Sequence, residues 1–391
     1  MSVPSREEIH RRVEALLPAI RERAAEAAGL RRVPEATIKA LRDAGLFRMV
    51  QPKRYGGWEC DPGDFYDVQI ALASACPSTG WVFGVVACHA WQLGLFDDQA
   101  QKDVWQNDED ALISSSYSPV GKVTEVEGGY RISGKWGFSS GSDHCEWAFL
   151  GGIIHREGDA YPDYRTFLIN REFYEIEDDW YTSGLQGSGS KSIVVNDAFI
   201  PEHHTHKALD GFLCSNPGSK TNTAPLFQLP FGQLFIRSVS SPAIGAAKGA
   251  LQAFLDYNRD RISSTHRAKA STDPAVQQVA AEAGSEIDAA VLKMHRNFSE
   301  LLDYVARGEA IPMERRFQFR FDSADAVDRC TRIVQKLFIA SGGRAVYTSS
   351  PINRYFQDIH AIKAHVANNP VPLGQNYGAV MMGQEAMDLF I

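Results

Sequence analysis

Residues Leu112 to His144 read LISSSYSPVGKVTEVEGGYRISGKWGFSSGSDH, and the fold class turns on them. Upstream, apolar residues recur at helical spacing. Within this stretch, short runs rich in Ile, Val, Tyr, Phe and Trp take over, punctuated by Gly128-Gly129 and Gly141. The pattern continues through Trp147–Ile154, Thr166–Ile169 and Ser192–Phe199, with Asn196-Asp197 as a turn, and ends at Pro201. Short strands at that spacing predict a β-sandwich or barrel rather than an array of βαβ units.

Outward from this segment the period becomes helical. Ser5 and Glu8 form a capping box, and Ile9, Val13, Leu16, Leu17 and Ile20 follow at helical spacing. A second helix is predicted after Pro34 and stops at Ala44-Gly45. Asp64–Ala75 and Gly80–Phe96 read as apolar helices, and Ala100–Gln106 as a short polar one. On the other side, Phe212–Pro230 is a connection without a period, long enough to be functional. Helices resume at Gln233 and include Ala243–Arg261, Pro274–Val305, Phe321–Ser341 and Pro351–Ala367. The expected architecture is α+β and multidomain. A helical domain covers residues 1–110, a central β domain 111–212 and a C-terminal helical bundle 213–391.

Composition bounds the function. At 391 residues, 44% hydrophobic and 23% charged, the chain excludes disorder and a disulfide scaffold. Its net charge of −8, with no Lys/Arg block, argues against nucleic acid or an anionic membrane as partner. Cys60, Cys76, Cys88, Cys145, Cys214 and Cys330 stand singly, without CxxC spacing, so no zinc or dithiol motif is expected. The start, MSVPSREEIHRR, holds no apolar signal core. The longest apolar stretch, around Trp81–Cys88, falls far short of the roughly 20 residues of a membrane span. A cytoplasmic protein with reduced thiols is expected.

No GxGxxG motif of Rossmann type, P-loop, HExxH or GxSxG motif occurs. Gly184-Leu-Gln-Gly-Ser-Gly reads as a tight turn. Two polar clusters end strands beside aromatic residues: Ser114-Ser115-Ser116-Tyr117 and Lys135-Trp-Gly-Phe-Ser-Ser-Gly141. They are either ordinary turns or the surroundings of a planar heteroaromatic cofactor, which needs a ring to stack on and neutral donors and acceptors. His203, His204 and His206 lack helical metal-ligand spacing, so no metal is expected there. His89 lies in an apolar helix, where a satisfied core histidine is the bland reading. His360 and His365 lie five apart on the last helix and face different sides.

Three further segments carry a resemblance. Lys135-Trp-Gly-Phe-Ser-Ser-Gly is similar to the Lys-x-Trp-(Ile/Phe)-Thr-Asn-Gly of acyl-CoA dehydrogenases. Gly184-Leu-Gln-Gly-Ser precedes the last strand as in that family. Ala340-Ser-Gly-Gly-Arg-Ala-Val-Tyr and Pro351-Ile-Asn-Arg-Tyr-Phe-Gln-Asp358 resemble its glycine turn and Pro-x-x-Arg-x-x-Arg-Asp. Nearly the whole chain thus resembles the acyl-CoA dehydrogenase fold: a helical domain, a central β-barrel or sandwich and a four-helix bundle. The dehydrogenases commonly carry a catalytic Glu after the Arg-Asp, but Ala364-His-Val-Ala-Asn368 has no carboxylate. The chain is instead similar to flavin-dependent monooxygenases on this fold, above all to secosteroid phenol hydroxylases of bacterial cholesterol degradation. Gln51-Pro, Tyr55-Gly-Gly, Cys60-Asp-Pro, Ser78-Thr-Gly-Trp, Ile113-Ser-Ser-Ser-Tyr and Ser139-Ser-Gly-Ser-Asp-His carry that likeness.

The resemblance implies the oxygenase component of a two-component system. Reduced FMN or FAD and O2 form a C4a-hydroperoxyflavin that ortho-hydroxylates a phenol, a secosteroid among the candidates. It implies Ser140 at flavin N5, with Phe138, Ser115, Ser116 and Ser139 around the ring. Arg261, Gly342 and Gly343 are implied at the phosphate end, reached from a neighbouring subunit. His365 is implied as base or as an aid to O2 activation, and His89, Trp81 and Tyr117 as substrate-binding, His89 with a share in catalysis. A separate NAD(P)H:flavin reductase, a homotetramer and no metal complete the expectation. The alternatives are N- or S-oxygenation, an acyl-CoA dehydrogenase or oxidase with a relocated base, and a silent flavin-binding oligomer.

Overall fold

Side-chain caps start the helices at Arg6, Pro62 and Asp98, and those at Pro62 and Pro77 open on a proline. In the computed structural model, which describes residues 3–156, 162–262 and 268–391, Ser5 caps α1 (Arg6–Glu22) and Asp61 caps α4 (Pro62–Ala75). Between them lie α2 (Ala24–Leu30) and α3 (Glu35–Asp43). Helix α5 (Pro77–Leu93) opens on a proline and is buried at every position, so it is hydrophobic all round rather than amphipathic. A short α6 (Asp98–Trp105) closes this layer.

The strands form two four-stranded sheets. The first has the order β1 (Ile113–Ser116), β4 (Trp147–Ile154), β5 (Asp163–Asn170) and β8 (Thr205–Lys207), with β1 parallel to β4. The second is antiparallel, in the order β2 (Lys122–Val126), β3 (Gly129–Ser139), β7 (Lys191–Pro201) and β6 (Glu175–Glu177). Tyr130, Trp136 and Ile193 of one sheet pack on Leu150, Phe167 and Ile169 of the other, which makes a sandwich. Sequence periodicity missed β6 and β8, whose three residues each are too few to show one.

Beyond α7 (Ala208–Leu213) and two 3-10 turns runs α8 (Phe231–Arg259), the axis of the C-terminal bundle. It continues through Pro242 and packs on α9 (Pro274–Ala306), α10 (Met313–Ala340) and α11 (Pro351–Lys363), as well as on α4 and α5. The last helix is shorter than its sequence pattern: α11 ends at Lys363, a 3-10 turn covers Val366–Asn368, and α12 (Pro370–Met381) follows. Asn369 caps α12 and Pro370 begins it, a stop-and-restart that helical periodicity does not report. No helix among the described residues is long and apolar enough to cross a membrane.

Asp358 joins the bundle to the sandwich. Its buried carboxylate accepts the Leu185 N–H at 2.7 Å. A side chain on Gly184 would sit 2.2 Å from the Gln357 carbonyl, so only glycine lets that turn close on α11. Burial raises the Asp358 pKa to about 6, against the Leu185 N–H and Arg354, which lower it. A carboxyl that binds its proton more tightly folded than unfolded stabilises the fold as pH drops and loses that contribution as pH rises through about 6. Urea unfolding of wild type and Asp358→Asn should therefore converge or cross between pH 7 and pH 4, wild type gaining about 2–3 kcal/mol relative to the variant. A difference that does not change with pH contradicts this.

Candidate active site

Trp81, Val85, His89 and Gln92 recur every three or four residues along one side of α5, toward the ends of β1 and β3. The Trp81 indole N–H donates to Ser140 Oγ at 2.9 Å. Ser140 Oγ lies 2.7 Å from Ser190 Oγ, and Ser190 Oγ 2.7 Å from Ser188 Oγ, so a chain of buried hydroxyls runs inward from Trp81. The strand end reaches α5 because residue 141 is glycine at φ 71°, where a Cβ would lie 2.8 Å from Val82 Cγ1.

His365 joins this group from the bundle. It caps the 3-10 turn after α11 rather than standing on a helix, because the helix ends two residues earlier. Its ring stands edge-on to Trp81, centroids 5.6 Å apart. Nδ1 accepts the Ala367 N–H at 3.2 Å, so the neutral ring carries its proton on Nε2. Among the described residues that Nε2 has no hydrogen-bond partner. Arg320, itself buried, fixes the turn by donating to the Ala367 carbonyl at 2.6 Å and to Ser323 Oγ at 2.9 Å. Burial, and then the Arg320 charge, push the His365 pKa down to about 4.

Two turns along α5 from Trp81, a rise of about 12 Å, His89 has the opposite polarity. Its Nδ1 is 2.7 Å from the Ile113 carbonyl, which can only accept, so Nδ1 carries the proton and Nε2 is a bare acceptor. That Nε2 is buried with no partner among the described residues. The ring stacks on Phe235 at 5.7 Å and meets Phe149 and Tyr117 edge-on at 5.5 and 6.2 Å. Burial lowers its pKa to about 4. The Tyr117 hydroxyl donates to Gln92 Oε1, and Gln92 Nε2 is a buried donor without a partner. An unpaired acceptor and an unpaired donor thus share one aromatic box. Buried polar atoms without partners are costly, and they mark where a ligand's polar atom fits.

Strand alternation corrects part of the serine expectation. Ser115 shares its face with Tyr117. Ser116 Oγ instead donates to the Gly137 carbonyl at 2.6 Å and Ser139 Oγ to Ser114 Oγ at 3.1 Å, so these two hydroxyls are spent within the sandwich. Phe138 lies within a break in the β3–β7 register, takes φ 65°, and stands 77% exposed with Trp180 edge-on at 6.0 Å. Trp81, expected against substrate, has its indole N–H committed to Ser140.

Arg261 donates to the Ser341 carbonyl at 3.5 Å, which brings it to the exposed Gly342-Gly343 turn. That turn lies at the opposite end of α10 from Arg320, about 30 Å along the helix. One chain therefore does not bring Arg261, Gly342 and Gly343 to Ser140 and His365. Ser188, Ser190 and Arg320 escaped sequence reading because their contacts are long-range. Gln92, three residues after His89 on the same face, carried a readable helical signal. An open groove of about 730 Å³, lined by Glu35, Arg42, Asp143, His144, Glu146 and Arg171 among others, is charged, lacks aromatic walls and holds none of these residues.

Nitrogen-15 NMR of histidine-labelled protein should find both rings neutral from pH 6 to 8, His89 protonated on Nδ1 and His365 on Nε2. A protonation midpoint near 6.5 for either ring, or the reverse tautomers, contradicts this geometry.

Residues 5–108 match the family described as acyl-CoA dehydrogenase, N-terminal domain, and residues 238–370 match acyl-CoA dehydrogenase, C-terminal domain. The chain is 41% identical over 384 residues to the flavin-dependent monooxygenase, oxygenase subunit HsaA, of Rhodococcus jostii strain RHA1, covering 97% of this chain and 100% of that protein. It is 33% identical over 390 residues to the FADH(2)-dependent resorcinol hydroxylase, oxygenase component, of Rhizobium sp. strain MTP-10005, covering 96% and 94%. The crystal structure of 3-HSA hydroxylase from Rhodococcus sp. RHA1 superposes with a TM-score of 0.94 at 40% identity, covering 98% of this chain and 99% of that one. With the fold, the hydroxyl-lined strand end and these likenesses together, the chain belongs to the oxygenase components of flavin-dependent monooxygenases built on the acyl-CoA dehydrogenase fold.

Proposed function

We propose that this oxygenase ortho-hydroxylates a phenol, a secosteroid phenol being the first substrate to test. A separate NAD(P)H:flavin reductase supplies reduced FMN or FAD, and the working form is a homotetramer. The observation that carries the substrate class is the bare, buried Nε2 of His89 inside a box of Phe149, Phe235 and Tyr117. A phenol hydroxyl donates to such an acceptor while its ring fills the box. The relatives named for resorcinol and 3-HSA hydroxylation support the same class.

The residues present fit a flavin. Phe138 offers an uncovered ring for stacking, and Ser140 a hydroxyl oxygen that accepts from Trp81 and, with its proton passed to Ser190 Oγ at 2.7 Å, keeps a second lone pair for the N5–H of reduced flavin. Ser115 lines the neighbouring strand end, and Ser116 and Ser139 contribute main chain rather than hydroxyls. Arg261, Gly342 and Gly343 serve the phosphate end from an adjacent subunit, a reading that the length of α10 supports. Reduced flavin, when bound, supplies the electrons that activate O2 for transfer of one oxygen atom. His365 faces that step as a neutral Nε2–H donor, not as a base, because Ala367 occupies its Nδ1 lone pair. His89 is the acceptor that draws on the phenol proton and makes the ring electron-rich. The net change is phenol, O2 and reduced flavin to catechol, water and oxidised flavin.

The test is incubation with photoreduced FMN or FAD, O2 and a panel of phenols. A catechol is expected, with H2O2 alone when phenol is omitted. Product from an amine or thioether, and only H2O2 with every phenol, establishes the N- or S-oxygenase reading instead. His89→Phe is expected to weaken phenol binding about tenfold or more, the loss of one buried hydrogen bond, and leave flavin affinity unchanged. His365→Ala is expected to lower hydroxylation by about 10²–10⁴ with little change in flavin affinity; equal loss of both, or of neither, removes its assigned role.

A further inference from the structure

A second polar cluster stands outside this pocket, where α6 meets the turn after β7. Asp103 Oδ2 lies 2.9 Å from His203 Nε2 and 2.8 Å from His204 Nε2. The two rings are 4.6 Å apart and nearly perpendicular, at 79°, so they converge on one point from two directions. The ligand atoms of all three residues lie within 4.8 Å of one another. Two of the three are braced from behind. Gln99 Nε2 donates to Asp103 Oδ1 at 2.7 Å, leaving Oδ2 to the histidines. The Leu168 carbonyl faces the His204 ring, and Trp147 packs edge-on to it at 5.8 Å. Partners of this kind orient carboxylate and imidazole ligands at metal centres. His203 and Asp103 are partly exposed, which leaves an entry path and a solvent-side position. His206, by contrast, is committed to Asn216 at 2.8 Å and takes no part.

We propose that Asp103 Oδ2, His203 Nε2 and His204 Nε2 bind a divalent transition metal ion of the zinc class, with water as fourth ligand. Metal–ligand bonds of about 2.0–2.1 Å set tetrahedral ligand atoms roughly 3.3 Å apart. The present spacings of 2.8 and 2.9 Å need to open by only about half an ångström to reach that. Each ring must present its Nε2 lone pair to the ion and carry its proton on Nδ1, so protonated imidazole competes with the metal and affinity falls as pH falls. The ion would staple the N-terminal helical layer to the sandwich. Adjacent histidines gave no metal spacing in the sequence because the third ligand lies 100 residues away from His203.

Chelator-treated wild type and Asp103→Asn are titrated with Zn2+ by calorimetry, and with Co2+ by visible absorption. The expected result is one more Zn2+ per chain bound by wild type, tetrahedral Co2+ bands, and a Tm rise of about 2 °C or more at saturating zinc. Asp103→Asn is expected to bind at least about tenfold more weakly and to lose the Co2+ bands. Equal zinc binding by both proteins, or only the spectrum of hydrated Co2+, overturns the proposal and leaves a hydrogen-bonded triad. His203→Ala, at a partly exposed position, carries the same comparison if Asp103→Asn does not fold; retained binding there also overturns it.

Discussion

The bond from the Trp81 indole to the Ser140 hydroxyl is the contact on which the candidate site depends. Helix α5 is buried along its whole length and has no water to offer a polar group. Each polar side chain on it must find a partner in the protein or in a ligand. A neutral hydrogen bond contributes only about 1 kcal/mol net, but leaving a buried donor unmade costs about 1–3 kcal/mol. That asymmetry locks the end of β3 onto α5. His365 then closes the third side against the same indole. The group of Trp81, Ser140 and His365 therefore stands where all three layers of the molecule meet, and none of the layers contains it alone.

The two histidines show how main-chain groups assign chemistry to identical side chains. Both are held neutral by burial. A carbonyl at Ile113 forces the proton of His89 onto Nδ1, whereas an N–H at Ala367 forces that of His365 onto Nε2. One ring is left with a bare lone pair and the other with an available proton. His365 meets α5 at Trp81, two helical turns, about 12 Å of rise, from His89. Arg320 contributes to this division without touching the pocket, by holding the Ala367 carbonyl.

Asp358 and Gly184 work at a different level. They fasten the turn before β7 to α11, and with it the Ser188–Ser190 hydroxyls behind Ser140. Asp358 is thus a structural member of the motif that it shares with acyl-CoA dehydrogenases. The length of α10 also explains why Arg261 and Gly342 sit far from Ser140 in one chain.

The sequence by itself determined the order of helices and strands, the sandwich between two helical layers, and the residue types at each strand end. These rest on local pattern: alternate residues for β3, every third or fourth for α1, an unbroken apolar run for α5. It also carried the family likeness, because motifs such as Ser139-Ser-Gly-Ser-Asp-His survive as contiguous strings. Local pattern placed His365 on a helix and grouped Ser139 with Ser140, since periodicity does not report where a helix ends or which way a strand-end hydroxyl turns. Only the tertiary structure decided those directions, the tautomer of each histidine and the convergence of Asp103 on His203 and His204. Each depends on a hydrogen-bond partner supplied by another segment, as Ser140 is for Trp81 across 59 residues, and the geometry of such a partner is written nowhere in the neighbouring sequence.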